Sequence, residues 1–332
     1  YPFISACLRT VSGIIPFSLG DILYVALVMF IIYRISVFLR KLLKKELNKY
    51  HRVLVPLRVL SFTLILYIAF KLLWGLNYSR PSITGALGIS NKRYDAKELV
   101  LLTELVINKL NAVQKLKINQ PKAALQKYSL KKLREGASLS YQELQQQRGF
   151  FTYKHPSVKP VFNSWMITKI GLEGYYNPLS GEANVNMRLP AADLPFVTAH
   201  EIAHQIGVAR EDEANLVGYL VAIHSKDLNF QYSGYYAILR NLLFEVRLIS
   251  PESYEKLFKK INKGTLQDYK NGMAFWAKYN NDMFGYMSAT LDSFLKINNQ
   301  HKGIESYQDI VLWVYNIHEQ ELKQINSKTL QP

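Results

Sequence analysis

The residues with the most chemistry in this 332-residue chain are Ala199-His200-Glu201-Ile202-Ala203-His204-Gln205-Ile206-Gly207, with Glu211-Asp212-Glu213-Ala214-Asn215 close behind. The pattern is His-Glu-x-x-His. In a helix, His200 and His204 stand one turn apart on one face. Two imidazoles so placed can bind one Zn²⁺, with Glu201 beside the open coordination position to handle a proton. The flanks predict that helix: Asp193 stands where an N-cap is needed, Pro195 suits the first turn, and Gly207 ends it.

A catalytic zinc takes a third protein ligand and keeps a fourth position for water. Glu211 and Glu213 are the candidates. On a second helix beginning near Arg210, Glu211 and Asn215 are four apart and share a face with Gly218 and Ala222. Glu213 falls on the face of Leu216, Val217 and Leu220. Glu211 is the favoured third ligand, with Asn215 a polar partner able to orient a ligating histidine; Glu213 is the alternative. The short gap from His204 needs a sharp reversal, which Gly207 can make.

His-Glu-x-x-His followed by Glu-x-x-Ala-Asn resembles the gluzincin branch of the zincin metallopeptidases. In those families the third ligand is a glutamate on a following helix, in a Glu-x-x-Ala-Asp or Glu-x-x-Ala-Asn context that maps onto Glu211, Ala214 and Asn215. The tighter run from His200 to Asn215, with Gly207 between, resembles a family of bacterial membrane proteins without an assigned function. That resemblance extends to Trp74-Gly75-Leu76-Asn77-Tyr78 and Gly181-Glu182-Ala183-Asn184-Val185-Asn186. The gap after His204 is shorter than in well-studied gluzincins, which leaves both glutamates open as third ligand.

The elements that must position these groups follow from composition and pattern. The chain is 49% hydrophobic, enough for a sizeable core and more than one unit. Its net charge of +16 is unevenly spread: residues 1–76 carry ten Lys/Arg against Asp21 and Glu46, supplying +8. With no Gly-rich phosphate loop, zinc-finger spacing or RNA-binding aromatic motif, a nucleic-acid partner is not expected. Cys7, the single cysteine, excludes an intramolecular disulfide.

The first residue is Tyr1, so the native chain is expected to begin earlier. Residues 1–20 read as an interfacial segment or the exit from an upstream span. Residues 22–39 and 57–76 are nearly continuous hydrophobic runs of about 20 residues, the length a membrane span requires. Arg34, Arg58 and Lys71 lie where long side chains can snorkel. Between them, residues 40–56 hold Arg40, Lys41, Lys44, Lys45, Lys49 and Arg52, which the positive-inside rule places in the cytoplasm. The expected partner of residues 21–76 is therefore the lipid bilayer of the cytoplasmic membrane. Residues 77–332 then form an extracytoplasmic domain.

That domain opens with an amphipathic helix over about 95–117, whose stripe is Leu99, Leu102, Leu105, Val106 and Leu110. Residues 118–160 read as polar turns and short helices. Residues 161–169 and 182–188 have β-like composition around Gly171, Gly174, Pro178 and Gly181. A strand just upstream of the metal helix can take an extended peptide by strand addition, which marks Ala183, Asn184 and Asn186 as candidate substrate-binding residues. Tyr175 and Tyr176, in a Gly/Pro turn, read as packing residues able at most to donate to an oxyanion. After Asn215 helices are expected over 214–225, 232–249, 252–262, 267–297 and 305–325. Phe275, Trp276, Phe284, Tyr286 and Phe294 read as aromatic core. His51, His155, His224, His301 and His318 are assigned to no metal.

The expected fold class is mainly α: an α+β zincin-like domain with a small sheet, preceded by transmembrane helices. The expected function is a membrane-anchored zinc metallohydrolase acting on peptides, a protein precursor or cell-envelope material, with Glu201 as general base. The rival readings are a non-catalytic zincin-like scaffold of the cell envelope and a basic membrane-surface protein with an accidental motif.

Overall fold

In the computed structural model, residues 1–119, 128–147, 151–279, 282–298 and 309–329 are described. Three helices come first: α1 (Pro2–Ile14), α2 (Leu19–Leu43) and α3 (Lys49–Leu73). Ser18 caps α2 by accepting the Asp21 amide at 3.1 Å, and Asn48 caps α3 through His51 at 3.1 Å. At 25 residues each, α2 and α3 are about 37 Å long, more than the ~30 Å of a hydrocarbon layer. Their apolar windows are wholly unburied by the rest of the chain, whereas a core helix has its apolar surface covered. The protein therefore has two N-terminal helices long and apolar enough to cross a membrane.

The basic connection is shorter than expected. Helix runs to Leu43 and resumes at Lys49, leaving 44–48 in place of 40–56. Basic side chains do not stop a helix; they project from its ends, so Arg40, Lys41 and Arg52 are helical. At the far end α3 gives way to a 3₁₀ turn over Gly75–Ser79 and a short α4 (Ile83–Ala86).

The rest of the chain supplies α5 (Ala96–Asn119), α6 (Leu130–Gln147), β1 (Val158–Pro160), α7 (Ser164–Lys169), β2 (Gly174–Asn177), β3 (Glu182–Val185), α8 (Leu194–Gln205), α9 (Glu211–Ile223) and α10 (Leu228–Ile249). Then follow α11 (Pro251–Phe258), α12 (Lys263–Tyr279), α13 (Asp282–Ile297) and α14 (Asp309–Thr329). The architecture is mainly α with one small sheet. Leu99, Leu102, Val106 and Leu110 of α5 are buried as their spacing requires; Leu105 is only half-buried. α5 packs along α10, the helices α8, α9 and α10 pack on one another, and β2 and β3 pack on α8.

Several local expectations gave way. Residues 118–160 contain the long helix α6. The β-like stretch from Val161 forms α7 instead, because Asn163 caps it by accepting the Met166 amide at 3.0 Å. The helix expected over 267–297 is two, α12 and α13. Phe275 and Trp276 pack on the core, but Phe294 is exposed and meets Phe70 and Tyr78. The side chains of Phe284 and Tyr286, and His301, lie outside the described residues.

The sheet has the order β1-β3-β2. β3 pairs in parallel with β1 (Val158↔Ala183) and antiparallel with β2 (Gly174↔Val185, Asn177↔Glu182). At the start of β3, the buried Glu182 carboxylate accepts the backbone amides of Leu19 at 3.0 Å and Gly20 at 2.7 Å, with Ser18 and Ser180 hydroxyls at 3.3 and 2.8 Å. A carboxylate at a helix N-terminus meets unsatisfied N–H groups and the positive end of the helix dipole. The first apolar helix is thereby clamped to the central strand.

One buried cation yields a stability prediction. Lys117 of α5 is buried, with Nζ 4.2 Å from the Tyr232 ring centroid. Burial pulls its pKa from 10.5 down to about 8, against the opposing charges of Asp268 and Asp227. Between about 8 and 10.5 the unfolded chain then carries more protons, so stability rises with pH across that window. Below it the cost of burying the charge is constant. Lys117→Met is expected to melt higher than wild type at pH 7, with the gap closing as pH climbs from about 8 to 10.5. Thermal melts in detergent at stepped pH check this; a gap independent of pH would contradict it.

Candidate metal centre

α8 and α9 build the site. Pro195 occupies the first turn of α8. Asp193 stands at the N-cap position but does not cap: its buried carboxylate pairs with Arg240 at 3.2 Å. At the other end Gly207 takes φ +99°, a conformation open to glycine, and the chain doubles back into α9 with Glu211 as its first residue. The two helices approach closely because Gly218 has no side chain; a Cβ there would lie 3.3 Å from the His200 backbone nitrogen.

This packing brings His200, His204 and Glu211 together, with one donor atom from each lying within 4.8 Å of the others. Nε2 of His200 is 3.2 Å from Nε2 of His204 and 3.2 Å from a Glu211 carboxylate oxygen, which is 3.6 Å from Nε2 of His204. Nδ1 of His204 donates to the Val208 carbonyl at 2.7 Å. A carbonyl only accepts, so Nδ1 carries a proton and Nε2 is the nitrogen that faces the cluster and would offer its lone pair to an ion. Asn215 lies beside His200 and favours its charged form. Glu213 points away, accepting from the Ile83 amide at 3.2 Å and pairing with Arg210 at 3.1 Å.

Two imidazole lone pairs and a carboxylate turned on one another repel unless a cation lies among them. Burial opposes a charged His204, but the Glu211 charge and hydrogen bond, with Glu201, outweigh it and raise the pKa to about 9. Burial likewise disfavours an ionised Glu211, yet both histidines hold its carboxyl far below the usual range. His200 is lowered, chiefly by burial. Two nitrogens and one carboxylate oxygen form the ligand set of a zinc site with an open position. The residues fit the ion.

Glu201 is buried on the same helix, and its Oε2 has no hydrogen-bond partner among the described residues. Burial raises its pKa to about 8, with Glu211 and Glu173 adding and His204 opposing. Its other oxygen lies against β2: a Cβ on Gly174 would sit 2.7 Å from Oε1. Glycine is what lets the strand approach the carboxylate this closely.

The substrate-strand expectation is corrected. Ala183 and Asn184 belong to the central strand, which is paired on both sides, and both are fully buried. Asn186 is buried just beyond it, donating to Thr168 at 2.8 Å. None offers a free strand edge, because β1 and β2 use both edges of β3. The edge strand beside Glu201 is β2, in a stretch read as a turn.

Sequence reasoning missed the aromatic wall. The Trp74 ring meets the His204 ring edge to face with centroids 5.8 Å apart, stacks on Tyr176 at 4.5 Å and meets Tyr1 at 5.5 Å. Tyr176 and Tyr1 join their hydroxyls at 2.6 Å, and Tyr175 donates to Asp21. Buried Tyr78 lies near enough to Glu211 for that charge to raise its pKa, after burial itself. The Trp-Gly-Leu-Asn-Tyr run was the one signal available, and nothing local ties it to His204. His318, buried against Tyr219 and Glu321 at 2.7 Å each, and His224, bonded to the Leu220 carbonyl, make no metal cluster among the described residues.

Fold and site together define a mainly helical protein with two apolar N-terminal helices and a three-residue candidate metal centre. The chain belongs to the family described as "Protein of unknown function (DUF3810)", whose model matches residues 1–315. No curated protein and no solved structure gives a match.

Proposed function

We propose that the chain is a membrane-anchored zinc metallohydrolase, a peptidase with a zincin-like fold and a gluzincin-type ligand set. The observation that carries this reading is the convergence of His200, His204 and Glu211 within 4.8 Å, beside a buried Glu201 carboxylate oxygen without a partner among the described residues. These three residues would hold the ion, and Asn215 would help orient His200. Bound there, Zn²⁺ supplies a Lewis acid that polarises a carbonyl and makes water easier to deprotonate.

The remaining steps fall to this chain's own groups. Glu201, whose raised pKa the charge of a bound ion would lower, would accept the proton of the attacking water at its carboxylate oxygen and return it to the leaving amine. The Val208 carbonyl fixes the His204 tautomer and ring plane throughout. β2 takes the substrate role expected of Ala183, Asn184 and Asn186: its outer edge can hold an extended peptide across Glu201 by strand addition. α2 and α3 span the cytoplasmic membrane, with the basic residues of 40–52 on the cytoplasmic side and the metal domain outside. Substrates are then peptides, protein precursors or cell-envelope material.

Elemental analysis of wild type and His204→Ala, purified alike in mild detergent, tests the reading. The expected outcome is stoichiometric zinc in wild type and its loss in the variant. Well-folded wild type without stoichiometric metal would end it.

A further inference from the structure

Helix α1 is built inside out. Its inner face, Ser5, Arg9 and Ser12, is buried and polar. Arg9 donates to the Gln205 carbonyl at 2.6 Å and to the Lys154 carbonyl at 3.2 Å, Ser5 donates to the same Gln205 carbonyl, and Ser12 meets Ser157 at 2.8 Å. Its outer face is apolar and uncovered, with Phe3 80%, Val11 61% and Ile14 82% exposed. Leaving side chains of this size in water forgoes about 1.5–3 kcal/mol each. Such a face needs an apolar medium.

Position identifies the medium. α1 ends four residues before α2 begins, and four residues reach at most ~14 Å. Its apolar face therefore lies near the start of α2, whose apolar side chains are exposed as well. At the other end Tyr1 packs on Trp74, directly after α3, and Phe70 joins the same cluster. Trp74 and Tyr78 are buried in this cluster, which ties the start of α1 to the end of α3. The metal-ligand helix touches both segments: Gln205 holds α1, and His204 lies 5.8 Å from Trp74.

We propose that α1 lies in the bilayer interface, and that the metal centre works at the membrane surface on a polypeptide itself anchored in the bilayer. The substrate half rests on the metallohydrolase reading; the placement of α1 does not. A centre held this close to the headgroup level meets anchored chains at high effective concentration, while freely diffusing peptides gain nothing from the membrane.

Two measurements test this on the full chain in phospholipid nanodiscs. Cys7, the single cysteine, is exposed on the apolar side of α1 and takes a nitroxide label without further substitution. Power saturation is expected to show strong relaxation by oxygen and weak relaxation by a water-soluble chromium chelate. Relaxation dominated by the chelate, or label–label broadening from a second copy covering the face, overturns the placement of α1.

The second measurement offers the zinc-loaded protein one pool of internally quenched peptides, free or carrying a palmitoyl chain at one end. The expected kcat/KM for the anchored pool is higher by about tenfold or more. Equal rates overturn the anchored-substrate inference and leave the metallohydrolase reading standing. Cleavage of neither pool overturns that reading, and the substrate inference with it.

Discussion

Glu201→Gln is expected to keep its zinc and lose turnover by a factor on the order of 10²–10⁴, the usual worth of a positioned general base. The substitution is nearly isosteric, so the tight fit against Gly174 and the burial of the side chain are preserved. It alters neither His200, His204 nor Glu211, whose donor atoms define the candidate metal site. What it removes is a buried carboxylate whose Oε2 has no partner among the described residues. An amide cannot accept and return a proton at neutral pH. Zinc per chain and kcat on a quenched peptide pool, measured on the same preparation, separate the outcomes. Full turnover in the variant would remove Glu201 from the mechanism. Loss of zinc would show that Glu201 supports the ligand set and not the reaction alone.

The legible parts of this site are those set by local spacing. His200 and His204 share a face because they are four residues apart on a helix. The reversal at Gly207 could be read because a glycine past the last turn has few other uses. Helix periodicity separated the faces of Glu211 and Glu213, and the structure sends Glu213 to Arg210 and the Ile83 amide. Strand order was not legible. Whether Glu182–Val185 is an edge or a centre depends on Val158–Pro160 arriving in parallel on its far side, and no property of the strand announces its neighbours. Asp193 has the sequence of a cap, but Arg240 on α10 competes for its carboxylate. Trp74 reaches His204 only through the placement of α3 against the domain.

Glu182→Ala is expected to be the most damaging single change to the fold, costing about 3–5 kcal/mol, as truncation of a buried charged group with its partners left in place does. The carboxylate is fully buried and accepts from two backbone amides of α2 and two serine hydroxyls. Charge-assisted hydrogen bonds to a helix N-terminus are among the stronger kinds, and alanine leaves those donors facing a cavity. Lys159 adds to the loss. It is buried in β1 beside Glu182, whose charge supports its ammonium against desolvation, and it donates to the Ile15 carbonyl. Removing Glu182 leaves that cation without the nearby anion. Glu182→Gln, which keeps the size and one acceptor oxygen, should recover part of the stability. Thermal melts of the three proteins in detergent give the ranking wild type, Gln, Ala. Limited proteolysis adds a local readout, since release of α2 from β3 should open cleavage near Ile15–Ser18 in the alanine variant first. A melt unchanged in Glu182→Ala would mean that α1 and its Ser5 and Arg9 contacts to Gln205, not this clamp, hold the apolar helices to the rest of the chain.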